Sequence, residues 1–317
     1  SAGVFWMIGF GLMFAIAAVD YRRWREWWPI VYGLGLMSLV FVMIFGISAK
    51  GTQRGFAVAG LQLQPSEFMK VAVIIALAAF LADSELDLRR TLGALALVGV
   101  PVVLILAQPD LGTALVFASI TLGMLLVAGV PARVMLGLFL IAAVGVGLVL
   151  TSDVLEDYQK DRLTGFVNPD ALSADERYNT EQSQIAVASG GLTGLGLLNG
   201  PQTSNGYVPE QQTDFIFTAI GEELGFVGAA SVLALYGFLF WRVLRAAQLS
   251  RDAFGTLLCV GTFCMLLFQV FENIGMSLGI MPVTGIPLPF MSYGGSSILV
   301  AFVLAGLVLN VHMRRFS

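Results

Sequence analysis

The chain is 317 residues long, 57% hydrophobic and only 12% charged, with a mean hydropathy of +0.84, where a soluble domain carries about 25% charged residues. That composition excludes a water-soluble globular protein. The formal net charge of −4 is too small and too dispersed for a nucleic-acid partner.

A bilayer core of about 30 Å needs roughly 20 apolar residues per helix. Nine stretches qualify as spans, over 2–19, 30–48, 66–82, 91–107, 111–128, 134–150, 215–241, 254–271 and 295–311. The expected fold is therefore an all-α polytopic membrane protein, with residues 1–317 forming one transmembrane domain. The first span lacks a basic leader and is followed by YRRWREWW (21–28), so it reads as a span and not as a cleaved signal peptide. The opening Ser1-Ala2-Gly3 suggests a further span before it.

Charged residues inside spans cost roughly 2.5–3.5 kcal/mol each on insertion scales, so those that persist face the bundle interior and are functional candidates. Glu67 and Lys70 begin the third span three residues apart, on one helical face. They are either an ion pair that lets a polar helix end enter the bundle, or a cavity-facing cation tuned by its neighbour. Asp110, in QPDLGTA (108–114), stands at an outer hairpin where Asp serves well as the cap of the following helix, and capping outweighs chemistry there.

Residues 151–209 form a 59-residue connection without a span, long enough to be functional. It contains an amphipathic stretch at 158–166, a helix-like run at 179–189 and the glycine-rich GGLTGLG (190–196). No strand precedes those glycines and no Lys-Ser/Thr follows them, so packing is favoured over a phosphate cradle. Where the connection re-enters the membrane, Asp214 lies between polar Thr213 and apolar Phe215-Ile216-Phe217. A carboxylate on that edge is partly desolvated, which favours its protonated form and makes it a candidate acceptor of a hydroxyl proton; the alternative is a helix cap.

Glu222 and Glu223 are adjacent in the seventh span and point about 100° apart, so at most one faces a given cavity. Glu272 and Asn273 end the eighth span, where polar groups are commonly solvated. Structure outweighs chemistry for these acids. Cys259 and Cys264 lie five residues apart in one apolar run and cannot pair if it is helical. Residues 275–297, broken by Pro282, Pro287 and Pro289, are too irregular to span and read as a re-entrant lid. In SYGGSS (292–297) close helix packing is favoured over a ligand's approach. His312 is the single histidine, so a Ser-His-Asp triad and a histidine metal site are both excluded.

If spans alternate, one side carries Arg22, Arg23, Arg25, Arg89, Arg90, Arg133, Arg242, Arg245, Arg251, Arg314 and Arg315, and the other Lys50, Arg54, Lys160, Arg162 and Arg177. Eleven against five places the C-terminus in the cytoplasm and the long connection outside.

KGTQRGF (50–56), QPSEFMK (64–70), QPDLGTA (108–114), YN-x-x-QS-x-x-A-x-x-SGG (178–191), PE-x-x-TDFIF with EELGF (209–226) and NIGM through PLPFMSYGGSS (273–297) occur in this order. Together they resemble the SEDS family of bacterial cell-wall proteins (shape, elongation, division and sporulation) over nearly the whole chain. PVTGIPLPF (282–290) is more similar to the elongation branch than to the division branch, and Gly55 stands where the family usually has Trp. The resemblance implies ten transmembrane helices, one of them before residue 1. It implies a peptidoglycan glycosyltransferase that polymerises lipid II at the outer face of the cytoplasmic membrane, alongside a class B penicillin-binding protein.

The same resemblance makes Asp214 the catalytic carboxylate, matches Glu67 and Lys70 to a polar pair beside a central cavity, Asp110 to an outer-face acid, and places Gln184 near another polar site position. Lys70, Arg54 and a divalent cation, Mg²⁺ or Mn²⁺, are then expected to offset charge on the departing pyrophosphate, with no organic cofactor. The rival expectation is a lipid II flippase, which needs polar sites reaching both faces. The candidates cluster outside except Glu222 and Glu223, which favours the enzyme. A scaffold that only recruits the transpeptidase would tolerate Asp214→Ala.

Overall fold

The computed structural model describes residues 2–49, 52–58, 61–82, 87–140 and 174–316. The stretch at 158–166, the second half of the span expected over 134–150 and the side chain of Arg54 lie outside the described residues. The chain divides into two compact units, 1–135 with 240–268 and 294–317, and 136–239 with 269–293.

The first unit opens with α1 (Ala2–Ala18) and α2 (Tyr21–Phe45). Asp20 starts α2 by accepting from the Arg22 backbone N–H at 3.0 Å, so the helix begins nine residues before the expected span and takes in the Arg/Trp stretch and Pro29. Three short strands come next, β1 (Ile47–Ala49), β2 (Thr52–Val58) and β3 (Leu61–Leu63), antiparallel in the order β1-β2-β3, with Ile47 opposite Gly55 and Phe56 opposite Leu63. They are a small appendage to a helical bundle.

The centre of this unit is α3 (Pro65–Leu81), with Pro65 in its first turn and every residue from Met69 to Ala79 buried. A helix buried on all sides belongs in the middle of a bundle, and α3 packs on α2, α4 (Leu88–Leu106), α5 (Leu111–Ala128) and α10 (Gly295–Met313). Asp87 caps α4 through the Arg90 N–H, and the Arg90 guanidinium donates to the Phe80 carbonyl near the end of α3. Gly129, at φ +92, closes α5 in the left-handed conformation that favours glycine. α10 runs along α1, where a Cβ at Gly295 would strike the Phe5 ring. This is the close packing expected of SYGGSS.

In the second unit, α6 (Ala174–Ser189) is followed by a glycine-rich segment, the single turn α7 (Pro201–Ser204), and α8 (Ile216–Gln248), which continues into the first unit. α8 is broken at Gly225, where φ +64 and ψ −164 leave the helix. The glycine-rich segment fills the break: Leu195 and Gly196 N–H donate to the carbonyls of Glu222 and Glu223, and Phe226 and Val227 N–H donate to those of Gly191 and Leu192. Cβ atoms at Gly190 or Gly194 would collide with the Gly221 and Glu223 carbonyl oxygens. These glycines serve backbone-to-backbone packing, as expected.

α9 (Ala253–Ser277) contains both cysteines, which are free thiols. The irregular segment after it has no helix until α10, and its Pro289 carbonyl accepts from Tyr236 Oη at 2.5 Å while Tyr293 N–H donates to the Gln212 carbonyl. Among the described residues six helices are long and apolar enough to cross a membrane: α2, α4, α5, α8, α9 and α10, with α1 shorter. A multi-pass helical membrane protein is the result.

Candidate functional site

Asp214 comes after a turn in which the Glu210 carbonyl accepts from the N–H groups of Thr213, Asp214 and Phe215. Phe215 and Phe217, each 3% exposed, anchor the start of α8, and Phe215 joins Ala186, Val208 and Met276 in a small core against which Val283 packs. Asp214 itself stays half-buried, held at the rim of that core.

Two ties fix its surroundings. Asn273 Nδ2 donates to the Asp214 carbonyl at 2.7 Å and to the Ile286 carbonyl at 2.8 Å. Gly285, at φ +72, brings its backbone beside the carboxylate, so that a Cβ there would stand 3.3 Å from Asp214 Oδ2. One residue earlier, Thr284 Oγ1 donates to Glu272 Oε1 at 2.9 Å.

Glu272 and Asn273 are fully buried, which corrects the expectation of solvated groups at a helix end. α9 runs on to Ser277, so both lie inside the helix and face the irregular segment. Glu272 Oε2 and Asn273 Oδ1 have no hydrogen-bond partner among the described residues. The signal for a buried pair in the sequence is a carboxylate and an amide side by side in an apolar run.

Glu222 is also fully buried. Its oxygens accept from the N–H groups of Gln202 and Thr203, each at 2.8 Å, and from Thr203 Oγ1 at 2.5 Å, closing the start of α7. Sequence reasoning set Glu222 apart from the residues clustered on the outer side. Its partners in the structure are Gln202 and Thr203, in the connection between α6 and α8, so it serves structure there, as expected of this acid.

Gln184 lies on α6, where its Nε2 donates to the Leu278 carbonyl at 3.2 Å and Ser183 Oγ donates to the Ser277 carbonyl at 2.7 Å. Together they satisfy carbonyls left open at the end of α9.

The remaining candidates gather in the first unit at the start of α3. Lys70 Nζ meets Glu67 Oε1 at 2.5 Å, with exposures of 1% and 4% for the two residues, so the ion pair expected from their spacing is present and dry. Asp110 caps α5 through the Thr113 N–H at 3.1 Å, and its other oxygen accepts from Thr113 Oγ1 at 2.9 Å and Gln64 Nε2 at 3.4 Å. Gln64 N–H in turn donates to Ser296 Oγ, tying that end of α3 to α10.

This pattern of a dry ion pair, a capping acid and a loop-borne carboxylate occurs in a chain that matches the family model described as cell cycle protein, FTSW_RODA_SPOVE, over residues 1–316. The chain belongs to this family. The family contains the FtsW, RodA and SpoVE proteins that its designation names, and the motifs from KGTQRGF to SYGGSS are spread along the matched length. Among its relatives, the peptidoglycan glycosyltransferase MrdB of Escherichia coli strain K12 is 37% identical over 310 residues, 97% of this chain and 84% of that protein. Among solved structures, a chain of a peptidoglycan synthase complex that coordinates polymerization and crosslinking superposes with a TM-score of 0.86 at 32% identity, covering 99% of this chain and 89% of that one. The crystal structure of the rod shape determining protein RodA of Thermus thermophilus gives 0.73 at 31% identity, covering 99% and 87%.

Proposed function

We propose that this protein is a peptidoglycan glycosyltransferase that polymerises lipid II during cell elongation, with Asp214 as general base. Support comes from similarity to a protein bearing that activity in its name along 97% of the chain. The observation that carries the chemistry is a half-buried carboxylate held beside Gly285 on a buried polar scaffold.

In the proposed step a sugar 4-hydroxyl gives its proton to the Asp214 carboxylate as its oxygen bonds to the anomeric carbon of a second unit. The bond from that carbon to the pyrophosphate oxygen breaks, and the electron pair leaves with the pyrophosphate. A single displacement turns an α-linked donor into a β-linked product, so one base suffices. Lys70, Glu67, Arg54, Asp110 and Gln184 are proposed as substrate-binding groups. The Lys70 charge is already balanced by Glu67, so that pair acts as a fixed dipole and not as a lone cation.

A divalent cation, Mg²⁺ or Mn²⁺, is proposed to accompany the pyrophosphate. Among the described residues no three His, Cys, Asp or Glu side chains gather to hold a metal, so no step is assigned to it. The proposed setting is the bacterial cytoplasmic membrane, with the C-terminus in the cytoplasm, the reaction at the outer face and a class B penicillin-binding protein as partner.

The test is glycan polymer on a gel from purified protein, lipid II and Mg²⁺, with and without that partner. Wild type is expected to give polymer, and equally folded Asp214→Asn none. Polymer from both removes Asp214 from the mechanism; polymer from neither, with the partner present, favours a flippase.

A further inference from the structure

We infer that Asn273 is a positioning residue for Asp214. Its side-chain amide joins the turn before α8 to the irregular segment after α9, because one N–H₂ group serves the carbonyls of both Asp214 and Ile286, at 2.7 and 2.8 Å. Those two carbonyls flank the place where Gly285 meets the Asp214 carboxylate. The amide therefore sets the distance between the carboxylate and the backbone facing it.

The scaffold behind the amide is buried and hydrogen-bonded. Asn273 has no exposed surface, its own carbonyl accepts from Ser277 Oγ, and the preceding Glu272 holds Thr284 at 2.9 Å. Adjacent residues of one helix thus grip the 284–286 segment at two points, and one of them also grips residue 214. A proton acceptor must lie within hydrogen-bond reach of the hydroxyl it serves, and a misplacement of about 1 Å can cost around a hundredfold in rate. Asn273 touches neither substrate nor proton in this scheme. Its effect runs through the placement of Asp214.

Asn273→Leu keeps the shape and removes both donors. With lipid II as substrate, the folded variant is expected to lose about 10- to 100-fold in kcat while KM changes by less than about threefold. A purely structural Asn273 would lower the thermal midpoint and the folded yield but leave kcat per folded molecule at the wild-type value, and that result overturns the inference. If the leucine variant does not fold, Asn273→Ser, which retains one donor, decides: reduced kcat with KM kept supports the inference, and wild-type kcat overturns it. The inference rests on Asp214 being the base, and the two fail separately. Wild-type polymerisation by Asp214→Asn removes both, whereas an inactive Asp214→Asn beside a fully active folded Asn273→Leu removes the positioning role alone.

Discussion

At the scale of single residues, the dry contact between Lys70 and Glu67 has the clearest consequence. Removing one partner of a buried pair leaves the other charge uncompensated, at about 3–5 kcal/mol. Lys70→Met is therefore expected to lower the thermal midpoint in detergent sharply, and adding Glu67→Gln to restore most of it. If the double variant is stable and still makes no polymer, the pair also serves the substrate. Asp110 and Gln184 act differently, since each commits hydrogen-bonding capacity to a helix end: Asp110 to the start of α5, Gln184 to the end of α9. The cap at Asp110 was legible because the acid immediately precedes an apolar run. Gln184's partner at Leu278 was not, because 94 residues separate them.

At the scale of elements, the broken helix α8 and the glycines filling the break form one device. Gly225 turns out of the helix, and carbonyls and N–H groups on either side pair with residues 191–196 in place of helical partners. Gly194→Ala would combine a backbone at φ +80 with a collision against the Glu223 carbonyl, whereas Gly191→Ala meets strain at φ +53 but open space. Strain of this kind costs about 1–3 kcal/mol, so both variants are expected to be less stable. Gly194→Ala is expected to fall further in thermal midpoint and to be cleaved faster by protease at 190–200. Equal effects would mean that the contact with Glu223 contributes nothing. Glycine content suggested close packing of this segment, but the break in α8 had no visible counterpart in the hydropathy of 215–241.

At the scale of the molecule, one buried amide in the first unit ties α10 to the turn between α1 and α2, beside the Arg314 guanidinium that donates to the Ala17 and Ala18 carbonyls. Buried Asn310 on α10 donates to the Ile16 carbonyl at 2.7 Å and to the Val19 carbonyl, while its oxygen accepts from the Tyr21 N–H at 3.0 Å and from Arg314. It thereby supplies the turn between α1 and α2 with partners that neither helix provides. Asn310→Leu leaves those buried groups unpaired and is expected to cost about 1–3 kcal/mol, read as a lower thermal midpoint at unchanged helix content by circular dichroism. An unchanged midpoint would mean that the turn finds other partners.

The sequence by itself determined the helical membrane architecture, because a chain this apolar must satisfy its backbone within each span, and only a helix does so locally. It also determined the start at Asp110, where an acid stands just before an apolar run and bonds within three residues. Tertiary structure decided the long-range polar contacts. Asn273 lies 59 residues from the Asp214 carbonyl that it holds, and Glu272 and Glu222 take their partners from loops whose paths local patterns do not fix. Local rules act over about one helical turn; the buried polar scaffold is made of contacts far longer than that in sequence, and only folding brings them together.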